Sequence, residues 1–377
     1  MRRRLTGALL ALLCLAGCSS VPPQPARSNL LIGVDAPQTG PEAGDGMAVV
    51  DAVKQVLNDE YRGTVEGLPL AIRAFDDSSD GRRDPAQGER NLRQMIADPS
   101  LVGMVGPLNS DVAGAEIPVA SAAHLAMISP GASNECLTKP LPGCLVAPKD
   151  LRSGRPNDFF RIVPTGDLEP AALVAYATGT LHITHVAVAS DGQAYGKALR
   201  AAFEAALKSA GFTTVVATDL DPNDATAVDS FVTEAKTGGA DAVFFAGRGD
   251  GGACKVQPKV VAKLGAGVPF FGGSGLQGSA CLKDAGTSSA GLFTITAGSG
   301  SVAERTKVAA RALLVAVRAA VKADGGNVPA REDVRLAVSQ GANPHFDANG
   351  DTRDRVFTIL KAQGQPAAWV PGDEVRV

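Results

Sequence analysis

Aromatic and histidine side chains are scarce in this chain. Phe, Tyr and Trp together make up 5% of the residues, and there are four His. The histidines lack metal-ligand spacing, and none follows a recognisable nucleophile motif. A Gly-x-Ser-x-Gly elbow and a phosphate loop are missing too. These absences speak against an enzyme, and we expect neither a metal nor a cofactor.

Basic residues are not in excess either. The formal net charge is −3 at pH 7, so the composition does not indicate a polybasic surface for nucleic acid or for membranes. After the first residues, no segment comes near the roughly 20 charge-free apolar residues of a membrane-spanning helix. We therefore expect a soluble body with no nucleic-acid partner.

The start of the chain has the pattern of an export signal. A basic start introduces the apolar run Leu5–Ala16, which is shorter than a membrane-spanning helix, and small residues precede a cysteine. The tetrapeptide Leu15-Ala16-Gly17-Cys18 resembles a bacterial lipobox, in which Cys18 is lipidated and begins the mature chain. An ordinary secretory signal with an incidental cysteine is the alternative.

A lipoprotein signal peptide is accordingly predicted over residues 1–17, and a lipid anchor with a flexible tether over residues 18–29. The tether carries prolines and polar residues without an apolar period, which is typical of an extended, disordered segment. We predict an extracytoplasmic protein, attached by lipid to the bacterial cell membrane on its periplasmic or outer-surface side.

The remaining cysteines fit an oxidising compartment. Cys14 leaves with the signal peptide and Cys18 is taken by lipid, which leaves four cysteines in the mature body. An even number predicts two disulfides, which we assign as Cys136–Cys144 and Cys254–Cys281. A zinc site is the competing interpretation, although its ligand spacings are missing.

From residue 30 onward, apolar strands alternate with segments of helical period. Leu30–Asp35 is a continuous apolar run, which fits a buried parallel strand, and Val302–Ala323 is the longest predicted helix. The alternation restarts after the cysteine loop at Phe159, and the length exceeds what one core usually holds. The pattern predicts the α/β class with two doubly wound parallel-sheet lobes. Ligands bind beyond the carboxyl ends of such strands, here in loops 106–111, 129–134, 190–196, 246–251 and 271–277.

Seven short motifs follow one another across nearly all of the mature chain. They are Gln38-Thr39-Gly40-Pro41, Asp76-Asp77-Ser78, Val105-Gly106-Pro107 before Ser110, Ile128-Ser129-Pro130-Gly131-Ala132-Ser133, Phe160-Arg161, Tyr195-Gly196, and Phe346-Asp347-Ala348-Asn349-Gly350-Asp351. In this order they resemble the type I solute-binding proteins of ABC importers, in the branch of leucine/isoleucine/valine-binding proteins. The resemblance implies two lobes, joined by three crossings, that close on a small solute.

The resemblance also implies binding residues. The side chains of Ser110 and Ser133, with the Gly131 backbone, would hold the carboxylate and amine of the solute in the first lobe, and Tyr195 would close over it from the second. The alternative is that both serines only cap or brace turns and that Tyr195 packs within its loop.

Two positions depart from the family pattern. Amino-acid binders of this branch usually have an aromatic or polar residue in place of Arg248, and a glutamate that pairs with the ligand's ammonium in place of Ser274. An ammonium buried without an anionic partner is costly. We therefore hypothesise that Arg248 binds an extra anionic or accepting group, and that the ligand lacks an α-ammonium or finds another acid. Candidate acids are Asp250, Asp191, Glu42 and Asp45, and a surface position is the alternative for Arg248.

We predict a first lobe over residues 30–163 and 292–344, and a second over 164–291 and 345–377, with each disulfide inside one lobe. The expected function is capture of a small amino acid-like or carboxylate-bearing solute by hinge closure, with delivery by a monomeric lipoprotein to an ABC permease. The alternative is a sensing lipoprotein that passes the closure signal to a membrane receptor or sensor kinase.

Overall fold

The structure is a computed structural model and describes residues 29–141, 144–341 and 344–377. The predicted signal peptide, the lipid anchor Cys18 and nearly all of the tether therefore lie outside the described residues. Within the described ranges, no helix combines the length and the apolar character that a membrane crossing requires.

Strands and helices alternate along most of the chain. The strands are β1 (Leu30–Ala36), β2 (Thr64–Val65), β3 (Leu68–Asp76), β4 (Ser78–Ser79), β5 (Arg82–Arg83), β6 (Leu101–Val105), β7 (Met127–Ser129), β8 (Phe159–Arg161), β9 (His185–Ser190), β10 (Thr213–Asp219), β11 (Ala242–Ala246), β12 (Phe270–Phe271), β13 (Leu292–Ala297), β14 (Val356–Gln363) and β15 (Ala368–Arg376). The helices are α1 (Ala43–Gln55), α2 (Pro85–Ile96), α3 (Ser110–Ala122), α4 (Pro148–Leu151), α5 (Glu169–Gly179), α6 (Ala194–Ser209), α7 (Ala225–Thr237), α8 (Gln257–Leu264), α9 (Ser279–Ala285), α10 (Val302–Ala323) and α11 (Arg331–Ser339).

The first lobe is built on a six-stranded sheet in the order β2-β3-β1-β6-β7-β8. Its strands run parallel except for the antiparallel pair β2–β3. Every residue of β1 and β6 is buried, because α1, α10 and α11 cover one face of the sheet and α2 and α3 the other. Strands covered on both faces have continuous apolar runs rather than alternation, as the sequence shows.

The second lobe is built on a seven-stranded sheet in the order β10-β9-β11-β12-β13-β14-β15. Strands β9 to β13 run parallel, and β14 and β15 join them antiparallel at one edge. Helices α5 and α6 cover one face, and α7 and α8 the other. The predicted class, α/β with two mainly parallel-sheet lobes, is confirmed.

The chain passes between the two sheets three times: after β8, after β13 and before β14. The boundary predicted at residue 292 is corrected, because β13 pairs with β12 and β14 in the second sheet. The return to the first lobe therefore lies between β13 and α10. The boundary predicted at residue 345 shifts as well, because the ring of Phe346 lies 5.1 Å from that of Phe160 in the first-lobe core.

Candidate functional site

In the first lobe, Ser110 and the loop after β7 lie together. Ser110 is the first residue of α3, and its Oγ accepts a hydrogen bond from the Asn134 amide at 3.1 Å. Ser129 braces the turn, since its hydroxyl donates to the Pro107 carbonyl at 2.7 Å and accepts from the amide of Ala132 at 2.9 Å. The two loops that follow neighbouring parallel strands, β6 and β7, thus form one surface.

Arg161 fixes the backbone on both sides of Ser133. Its side chain is fully buried, and its Nη1 donates to the carbonyl of Ala132 at 3.0 Å and to that of Asn134 at 2.7 Å. Its Nε donates to the Asp351 carboxylate at 2.7 Å, which neutralises the buried guanidinium. Burial lowers the pKa of Arg161, and Asp351 opposes this shift. The sequence singled out Arg161 only as part of a motif and gave no sign of this anchoring role.

In the second lobe, Tyr195 lies over the loop that carries Ser274. Its Oη accepts a hydrogen bond from the Gly275 amide at 3.2 Å, while 39% of the residue stays exposed. Glycine is required beside it, because a Cβ on Gly273 would lie 3.2 Å from the Tyr195 Oη and one on Gly275 only 2.8 Å from Cε1. The predicted residues Tyr195 and Ser274 are therefore neighbours.

Glu169 occupies the other side of the same loop, and sequence reasoning missed it. It is the first residue of α5 and is 7% exposed. The Ser274 amide donates to its Oε1, and the Ser274 hydroxyl donates to its Oε2 at 2.9 Å. Burial raises the pKa of Glu169 to about 7; the Ser274 hydrogen bonds oppose the rise, and Glu135 adds to it. The sequence signal for Glu169 was an acidic residue at the start of the first helix of the second lobe. Its contact with Ser274 could not be predicted from the sequence, because the two residues are 105 positions apart.

The Ser133 loop of the first lobe contacts the segment in which the chain first passes between the lobes. The Gly166 amide donates to the Ser133 carbonyl at 2.8 Å. Nearby, the Lys139 ammonium donates to the Thr165 hydroxyl at 2.7 Å and lies 3.0 Å from the Asp167 carboxylate. The first-lobe loop is therefore tied directly to the segment that leads into α5 and Glu169.

Arg248 lies at the edge of this arrangement. Its Nε lies 3.2 Å from the Asp250 carboxylate, and 57% of its side chain is exposed. This geometry is that of the surface alternative, so the anion-binding role of Arg248 stays a prediction. Among the other acids considered for an ammonium, Glu42 pairs with Arg83 at 2.8 Å.

Both predicted cysteine pairs lie at the site loops. Cys136 and Cys144 are paired in the loop that follows Ser133, with 5.4 Å between their Cα atoms. Cys254 and Cys281 are paired with 5.0 Å between Cα atoms, and they join the segments that follow β11 and β12. Each pair lies within one lobe, so neither links the two lobes.

The profile of the periplasmic binding proteins matches residues 30–326. The chain belongs to the periplasmic binding protein family. Its members are binding proteins that work outside the cytoplasm, so the chain is a binding protein rather than an enzyme.

Two relatives carry more specific names. The Leu/Ile/Val-binding protein BraC3 of Rhizobium johnstonii is 27% identical over 361 residues, covering 95% of this chain and 89% of that protein. Leu/Ile/Val-binding protein homolog 3 of Brucella melitensis is 28% identical over 274 residues, covering 71% of this chain and 68% of that protein.

A solved structure shows the shared fold. It is the solute-binding protein of an ABC transporter from R. palustris in complex with benzoate, with a TM-score of 0.58 at 18% identity. The match covers 93% of this chain and 97% of that one.

Proposed function

We propose that the protein captures a small amino acid-like or otherwise carboxylate-bearing solute between its lobes and delivers it to an ABC permease. The observation that carries the proposal is that the Ser133 loop of the first lobe is tied to the segment that leads into α5 and Glu169, where the Gly166 amide donates to the Ser133 carbonyl at 2.8 Å. A solute seated beside this contact touches loops of both lobes at once.

The first-lobe half suits a carboxylate. Helix α3 starts at Ser110, and the preceding Asn109 gives it no side-chain cap. Amides at a helix N-terminus attract anions, and hydroxyl groups add further donors. The names of the two relatives support branched-chain amino acids, and the benzoate complex of the structural neighbour supports carboxylates more broadly.

The second-lobe half supplies a ring and a polar loop. Tyr195 keeps an exposed face, and its hydroxyl is held by the Gly275 amide. A solute that contacts this face and the Ser133 loop together binds the closed state better than the open one. Such differential contact is what shifts a two-state hinge toward closure.

Binding and small-angle X-ray scattering test the proposal on the body from residue 29 onward. A panel of L-amino acids and aromatic carboxylates should include solutes that bind and that shrink the scattering envelope. Ser133→Ala should weaken such a solute about 10-fold or more, since it removes a hydrogen bond to a charged group. The matched control is Ser209→Ala on the exposed end of α6. An envelope that keeps its size with every solute would contradict closure.

We also propose that Cys18 is lipidated and that a monomer, tethered to the membrane, presents its closed lobes to the permease. Cys18→Ser should release the protein from membranes in cell fractionation. Cys14→Ser is the matched control, because it lies in the same signal and should leave the protein attached. Retention of both variants on the membrane would contradict the anchor.

A further inference from the structure

Glu169 places a buried carboxyl group beside the candidate solute site. Its Oε1 would lie only 2.6 Å from a Cβ on Gly273, the residue whose added Cβ would also crowd the Tyr195 hydroxyl. The Glu169 carboxylate and the Tyr195 phenol therefore both lie close to Gly273. Because residue 273 is glycine, the two groups can approach the same part of the loop.

The carboxylate retains hydrogen-bonding capacity. Each of its oxygens accepts one hydrogen bond from Ser274, whereas a carboxylate oxygen accepts two. One lone pair on each oxygen thus remains for a donor from outside the loop.

The charge of Glu169 has no counter-ion in the described ranges. No ion pair of the described residues includes Glu169, and the nearby Glu135 of the first lobe adds a second negative charge, which contributes to the raised pKa of Glu169. The Tyr195 phenol and the Ser274 hydroxyl lie near the carboxylate. A buried carboxylate of this kind is stabilised by an incoming cation.

We propose that Glu169 is the specificity-determining residue that accepts the cationic amino group of the solute, with Glu135 adding attraction from the first lobe. This inference rests on the proposed function and narrows it. The preferred solutes are zwitterionic amino acids, and the acid comes from the start of α5 rather than from position 274. A solute ammonium then has an acidic partner in this chain.

Calorimetry with matched pairs of solutes tests the inference: L-leucine against 4-methylpentanoate, and L-phenylalanine against 3-phenylpropanoate. Each pair shares its carboxylate and side chain and differs in the amino group. The wild-type protein should prefer the amino acid by about 20-fold or more, the value of a charge-assisted hydrogen bond. Glu169→Gln should reduce the preference to a few-fold, and Glu234→Gln, exposed on α7, should leave it unchanged.

A pH profile of the wild-type protein gives a readout that requires no variant. Glu169 binds a cation only when ionised, so the preference for the amino acid should rise between pH 6 and pH 8, while binding of the des-amino acid should not rise. Equal binding of both members of each pair, or a preference that Glu169→Gln leaves intact, would overturn the inference while leaving solute capture in place. If no carboxylate of either kind binds, the proposed function itself is overturned.

Discussion

Asp35 and Glu116 form a buried carboxyl pair in the first lobe. Both residues are fully buried, and Glu116 Oε1 and Asp35 Oδ2 lie beside the same residue, at 3.2 Å and 3.5 Å from a Cβ placed on Gly88. The Asn91 amide donates to Asp35 Oδ1 at 2.9 Å. Burial is the largest cause of the raised pKa of each carboxyl. Asp35 adds to the rise of the Glu116 pKa, whereas Glu116 lowers the pKa of Asp35. The pair therefore holds protons at a pH where exposed carboxyls are ionised.

The sign of the pH dependence follows from these protons. Unfolded carboxyls titrate near pH 4, so above about pH 5 the native state binds more protons than the unfolded chain does. Stability is then fully present at acidic pH and falls as pH rises, by about 1.4 kcal/mol per pH unit for each extra proton. Glu116→Gln removes one such proton and keeps a similar shape. The slope of stability against pH should become shallower by up to about 1.4 kcal/mol per unit.

Urea unfolding followed by circular dichroism at pH 5.5, 6.5 and 7.5 measures the slope. Burial raises the pKa of Asp77 to about 7. Since Asp77 is present in both the wild type and Glu116→Gln, its contribution to the slope is the same in both. The control Glu234→Gln on α7 should keep the wild-type slope. A wild-type stability that is flat or rises over this interval, or a Glu116→Gln slope equal to that of the wild type, would refute the reasoning.

Three further changes test the packing that supports the site. Ser301→Ala removes the N-cap of α10, whose hydroxyl accepts from a first-turn amide at 3.2 Å, and should cost about 1 kcal/mol in urea unfolding; an unchanged midpoint would count against the cap. Replacing Cys254 and Cys281 by Ala opens a loop of 27 residues and should cost about 3–4 kcal/mol; reductant should cost the wild type at least as much, because it also opens Cys136–Cys144. Arg161→Met leaves the Asp351 carboxylate buried without its partner and should cost about 3–5 kcal/mol; a cost below 1 kcal/mol would show that the ion pair is dispensable.

Several elements could be predicted closely from the sequence. The helix Val302–Ala323 has the predicted bounds, and β1 extends one residue beyond the predicted strand Leu30–Asp35, because the helix is marked by a sustained helical period and the strand by an uninterrupted apolar run. The predicted pairing of cysteines agrees with the pairs in the structure. Sequence separation made Cys136 and Cys144 obvious partners, which left only one pairing for the other two.

Other elements were missed for a physical reason. Strand β15 is mostly exposed because it lies at the sheet edge, and Pro371 and Gly372 interrupt its apolar residues. Helix α11 is short and buries only Val334, Arg335 and Val338, so few apolar residues mark it in the sequence. The lobe assignment of β13 was wrong because strand order is set by pairing with β12 and β14, which the local sequence does not contain.

The sequence by itself determined the class of fold, the two repeated runs of strand and helix, and the loops where a solute site was to be sought, because these follow from local periodicity and from where parallel strands end. Only the tertiary structure decided which charged groups face that site. It brought Glu169 to Ser274 across 105 positions, placed Arg161 behind the Ser133 loop, and left Arg248 at the surface with Asp250. Such contacts arise from the packing of distant segments, and burial then fixes the protonation of the groups involved.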